Sequence, residues 1–138
     1  MNNLVATHST LDLQPTPKAL VWTGRVLTGL VTLFLLVDAV GKLVPFAPYV
    51  EGTLKAGYAI ELLRPLGVLL GVPTLLHLWP RTQFLGALLL TAYFGGAVAT
   101  HLHMGNSPAF PVVFGVILWA AYAMRSAELR EFLRSALR

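Results

Sequence analysis

"QFLGALLLTAYFGGAVATHLH", residues 83–103, decides the fold: it contains no Asp, Glu, Lys or Arg. A membrane helix needs roughly 20 mostly apolar residues to cross the hydrocarbon core. This stretch meets that length and reads as a transmembrane helix. Its imidazoles, His101 and His103, come only at its end. Polar groups at membrane depth are costly and are seldom placed there without a function. Tyr93, Ala97 and His101 are spaced by four and share a helix face, with the small Ala97 leaving room between ring and imidazole. His103 is turned away by about 200°.

Outward from this helix, "WPRTQ" breaks the chain before it, and "HMGNSP" breaks it after, with Gly105 and Asn106 suited to a helix C-cap. Three further apolar stretches lie at 20–44, 57–79 and 109–125. Between the first and second, "PFAPYVEGTLKAG" reads as a polar loop opened by Pro45 and Pro48. The expected fold class is therefore all-α, an integral membrane four-helix bundle over 20–125. A polar N-terminal tail (1–19) precedes it and a basic amphipathic tail (126–138) follows. The N-terminal tail lacks the features of a signal peptide, and its His8 reads as solvated.

Composition agrees. Hydrophobic residues make up 56% and charged residues 12% of the 138, with a mean hydropathy of +0.69. A soluble domain carries about a quarter charged residues, so half that supply cannot cover a globule in water. The net charge of +4 does not point to nucleic acid, because Arg125, Arg130, Arg134 and Arg138 cluster beside an apolar stretch. They suit anionic lipid headgroups, making membrane lipids the first partner. The chain has no cysteine, which excludes thiol chemistry and thiolate metal ligands.

Lys and Arg also orient the chain. Lys18, Arg25, Arg81 and the four C-terminal arginines fall on one side, against Lys42, Lys55 and Arg64 on the other. Both termini are expected in the cytoplasm. The outer ends of three helices then share Asp38, Lys42, Glu61, Arg64, His101 and His103. Asp38 and Lys42 are four apart on one face and can pair, and Glu61 and Arg64 are three apart. Asp38 is the most telling charge, because its short side chain cannot reach the interface as Lys and Arg do. The candidate ligand-binding residues are Asp38, Lys42, Glu61, Arg64, Tyr93 and His101. The plainer reading makes Asp38–Lys42 an ion pair that locks helices and Glu61–Arg64 an interfacial pair. His77, His103 and the three tryptophans read as interfacial or lipid-facing. The stretch "GGAVA" and the pair Gly67 and Gly71 suit close backbone approach. No metal site is expected, since two histidines two apart on a helix cannot face one ion unless the helix ends between them, and a third ligand would have to come from Asp38 or Glu61.

Three segments resemble the DoxX-like family of small bacterial membrane proteins: "GRVLTGLVTLFLLVDAVGKL", "WPRTQFLGALLLTAYFGGAVATHLHMG" and "FPVVFGVILW". The resemblance runs from Gly24 to Trp119 and implies a four-helix protein of the bacterial cytoplasmic membrane. Its namesakes are linked to quinone-reducing sulfur oxidation, and other relatives to membrane oxidoreductase complexes. The family pattern includes Asp38, Lys42, Pro80, Arg81, Thr82, Gly95, Gly96 and His101. Many relatives carry a glutamate where this chain has Leu70, and a basic residue where it has His103. These departures favour a binding or accessory role over an enzyme acting on its own.

Two functions of different class follow. In the first, an outward polar pocket binds a lipophilic small molecule such as a quinone, with Asp38 and His101 at its polar head, Lys42 balancing Asp38, and Tyr93 lining the wall. Electron transfer would then need a partner's flavin, haem or metal, because no covalently bound cofactor is expected. Haem or chlorophyll on His101 is the poorer alternative. In the second, the chain is a non-catalytic accessory subunit of a larger membrane complex, or a homo-oligomer, and its polar cluster serves helix packing.

Overall fold

A computed structural model describes residues 17–137 of the chain. Residues 1–16 of the expected tail over 1–19, with His8, and the terminal Arg138 lie outside the described residues. Within them every regular element is helical: α1 (Lys18–Leu43), α2 (Ala47–Lys55), a 3₁₀ turn (Ile60–Leu62), α3 (Leu63–Leu78), α4 (Gln83–His103), α5 (Ala109–Arg125) and α6 (Ala127–Ala136).

Local chemistry sets these bounds. Pro45 pushes the residue before it out of the helical region, and Val44 accordingly ends α1 with φ −98° and ψ 100°. The segment 45–57, read above as a polar loop, instead holds the short helix α2, with Pro48 in its first turn, where a missing N–H costs nothing. Gly57, at φ 80°, then closes α2. Its N–H bonds to the Leu54 carbonyl and that of Tyr58 to the Thr53 carbonyl, the two-bond closure that a left-handed glycine permits. Gly105, at φ 70°, closes α4 in the same way. The second apolar stretch starts later than expected, because the 3₁₀ turn precedes α3.

Helix α1 packs along α3 and α5, α3 along α4, and α4 along α5, so the four long helices close a ring. Each buries one stripe. On α3 it is Leu63, Gly67, Leu70, Thr74 and His77, alternately four and three residues apart, the spacing of one helix face. Leu35, Leu70, Leu90 and Leu118, one from each helix, meet at the centre and are at most 3% exposed. Glycine sets the approach at three contacts. A Cβ at Gly24 would strike the Ala121 carbonyl of α5, one at Gly67 would press on the Ala39 carbonyl of α1, and one at Gly86 would run into the α3 backbone at His77. Gly95 and Gly96, expected above to serve close packing, do not: a Cβ on either meets nothing within 4 Å.

The outward faces are as apolar as the core. Leu30, Leu33, Leu69, Leu85, Val113 and Val116 all stand exposed. A helix hydrophobic all round belongs in lipid, where backbone groups must be satisfied within the helix itself. Three helices are long and apolar enough to cross a membrane, and up to four if α5 and α6, bent by 110° at Ser126, count as one span.

Beyond that bend, Ser126 accepts the Leu129 N–H and caps α6. Arg130 folds back from α6 and donates through Nη1 to the Ala123 and Met124 carbonyls, at 2.7 and 3.1 Å. A cation on the last carbonyls of α5 suits the negative end of its dipole.

Candidate functional site

Asp38 lies on α1, about one and a half turns before its end, and reaches Lys42 of the same face at 2.5 Å. Both are largely buried, with side chains 24% and 15% exposed. The Lys42 ammonium also sits 5.3 Å from the centre of the Tyr49 ring of α2, near enough for attraction to its π face. Tyr49 can lie there because Gly41 has no side chain to strike it. The lysine is thus engaged from two sides and fixes the carboxylate beside it.

On α4, His101 Nδ1 lies 2.8 Å from the Ala97 carbonyl. A carbonyl only accepts, so this nitrogen carries the proton and Nε2 presents a lone pair. One residue earlier, Thr100 gives its own proton to the Gly96 carbonyl at 2.9 Å. The 2.7 Å bond between Thr100 Oγ1 and Tyr58 is therefore donated by the tyrosine. That bond ties the segment after α2 to α4, and the glycine closure at Gly57 is what aims Tyr58 there.

These residues surround one cavity of about 760 Å³ at the α2 end of the helices, within the range of small-molecule sites, about 300–1,000 Å³. Asp38, Lys42, Tyr93 and His101 all line it. Among the described residues, His101 Nε2 and the Tyr93 hydroxyl make no hydrogen bond, and Asp38 bonds only to Lys42. The far wall is carbon: Phe34, Phe110 and Phe114 stack with ring centres 4.6 to 5.7 Å apart. Pro73 lines it too, and having no N–H it deprives the Leu69 carbonyl of its helical donor.

Glu61 and Arg64 stand elsewhere. Both are exposed, neither lines the cavity, and they form no ion pair with each other. His103 is exposed and points away from the cavity, as its turn along the helix requires. Leu70 is sealed in the core and takes no part in the cavity wall. Tyr49, Tyr58 and Thr100 are further cavity residues; Tyr49 falls in the segment 45–57 read as a loop, and Tyr58 and Thr100 fall near the ends of expected spans as uncharged residues that spacing does not single out. The one available signal was the glycine at 57 beside a tyrosine. Two other residues also depart from expectation. Trp119 is half-buried and donates to Thr91 at 2.9 Å, joining α5 to α4. His77 is not interfacial but 1% exposed, because it falls on the buried stripe of α3. Among the described residues no three His, Cys, Asp or Glu gather as they would around a metal.

A family model described as the DoxX-like family matches residues 26–121. Neither a curated protein nor a solved structure matches the chain.

Proposed function

The chain belongs to the DoxX-like family, and from that premise we propose that it is a four-helix bundle of the bacterial cytoplasmic membrane, both termini cytoplasmic, that binds a lipophilic ring compound such as a quinone at its α2 end. One observation carries this reading. Three polar groups without a full set of partners (the Asp38 carboxylate, the Tyr93 hydroxyl and His101 Nε2) face a cavity whose other walls are apolar and partly aromatic. A few polar groups set among apolar and aromatic walls are what orients a ligand in a small-molecule site.

The donor set fits both redox forms of a quinone head. His101 Nε2 accepts from a hydroxyl of the reduced form, and the Tyr93 hydroxyl donates to a carbonyl of the oxidised form. The phenylalanine wall takes the ring by offset or edge contact. Asp38, held by Lys42, offers a second acceptor. Quinone itself supplies two-electron chemistry when bound. This chain's part is to hold the ring, orient its oxygens and keep a proton acceptor beside one of them. Electrons would have to come from a partner.

The test is to purify the protein in mild detergent, identify the lipids that come with it, and measure thermal stabilisation by a benzoquinone with a short alkyl tail. Stabilisation lost in His101→Ala and Asp38→Asn, with the melting temperature of the ligand-free variants near that of the parent, supports the pocket. No co-purified ring compound and no stabilisation of the parent rejects it. A bare chain isolated together with other subunits would favour the accessory role instead.

A further inference from the structure

The opposite end of the helices, beside α6, holds a second polar cluster that the cavity does not use. His77 is 99% buried by its 1% exposure, and its Nδ1 donates to the Gln83 carbonyl at 3.2 Å. Nε2 is then a buried acceptor with no partner. Its ring meets Tyr122 of α5 edge-on at 5.9 Å. One turn further along α5, Arg125 has both Nε and Nη2 buried without a partner, and the Gln83 amide nitrogen is in the same state. Three of the four unmatched nitrogens are donors, two of them on a guanidinium.

Arg125 forms no ion pair among the described residues. The charge of a second cation, Arg25 of α1, is felt at Arg125. Gln83 begins α4, whose first turn has no acidic residue and no side-chain cap. The Thr82 hydroxyl, which could have capped it, donates instead to the Leu76 carbonyl at 2.8 Å. A positive helix end, an amide donor and a guanidinium whose charge is felt at His77 therefore lie at the same end of α3, α4 and α5, with the Arg125 stem beside Gly24 of α1.

We propose that this end binds one phosphate-type oxyanion. The Nε and Nη2 edge of Arg125 is the two-pronged donor that matches two oxygens of such a group. The Gln83 amide adds a third donor, and the α4 N-terminus favours the negative charge. His77 Nε2 accepts from a hydroxyl on or beside the phosphate. A lipid headgroup and free phosphate share this chemistry.

Native mass spectrometry of the delipidated full chain in detergent separates the two sources, with phosphatidylglycerol, phosphatidylcholine or inorganic phosphate added in turn. One phosphatidylglycerol held per chain, with no gain from inorganic phosphate, gives the lipid; an inorganic phosphate adduct gives the free anion. In either case Arg125→Gln should weaken the adduct about tenfold, as expected when a charged hydrogen bond is lost. Gln83→Met should weaken it also, and serves where Arg125→Gln fails to fold. The control is Arg134→Gln, an exposed cation paired with Glu131. Equal weakening by that control, equal binding of phosphatidylcholine, or no adduct at all overturns the proposal.

Discussion

Gly86 and Gly95 sit on the same helix and should answer the same substitution with opposite signs. Alanine gains about 1 kcal/mol of intrinsic helix propensity over glycine. At Gly95 nothing opposes that gain, since a Cβ there meets open space. At Gly86 the new methyl strikes α3 backbone at His77, and overpacking of a tight contact costs about 1–3 kcal/mol. Thermal unfolding in detergent should show Gly95→Ala at or above the parent and Gly86→Ala clearly below it; the reverse order would contradict the α3–α4 contact. Asp38 and Lys42 allow a second test at this scale. Lys42→Met leaves a partly buried carboxylate alone and should destabilise by about 2 kcal/mol, below the 3–5 typical of full burial. Adding Asp38→Asn should restore most of that loss, because the pair holds itself more than it holds the fold. Ligand binding should not return with it. Recovery of both together would make the pair structural only.

Two short helices show what apolar stretches reveal and what they hide. The long spans were legible because each has one requirement, a run of apolar residues about as long as the bilayer is thick, and three helices of the structure meet it outright. Asp38, Lys42 and His101 could be placed at the same end of their helices for the same reason, since span ends fix height, and helical spacing puts Tyr93 on the face of His101 about two turns away. Helix α2 was not legible, because its two prolines read as breaks when one of them, Pro48, in fact starts a helix. Burial of His77 was missed because a polar residue on a buried stripe looks the same in sequence as one at an interface. Helix α6 makes its own prediction. Arg130 holds it against α5 through two carbonyls, and hydrogen bonds to a charged group contribute about 1.5–3 kcal/mol each at most. Arg130→Ala should release the α5–α6 elbow, seen as faster amide exchange over Ala127–Ala136 with α1 unchanged. Tyr58→Phe should do the same for α2, loosening its exchange by loss of the bond to Thr100, while α6 stays protected.

The whole molecule turns on whether α5 crosses. Its 17 residues extend about 25 Å as a helix, short of the roughly 30 Å hydrocarbon core. Pro111 near its start and the 110° bend at its end leave it no further helical length. Modest mismatch of this kind is met by local thinning of the bilayer, and two features suit that. Arg130 stands just past the bend with its guanidinium on the last carbonyls of α5, and α5 packs against both α1 and α4 along the ring. The number of crossings has a strict consequence for the ends of the described chain. Four crossings put Lys18 and Ser135 on one side, whereas three put them on opposite sides. The absence of native cysteine allows single cysteines at Lys18, Met104 and Ser135 to be labelled in intact cells with a membrane-impermeant maleimide. The expected outcome is labelling at Met104 alone, with Lys18 and Ser135 reached only after the membrane is opened. Labelling of Ser135 but not Lys18 in intact cells would mean that α5 returns without crossing. Labelling of Lys18 and Ser135 but not Met104 would keep four crossings and invert the protein. The α2 cavity would then open to the cytoplasm, and the basic end beside α6 would face the opposite leaflet.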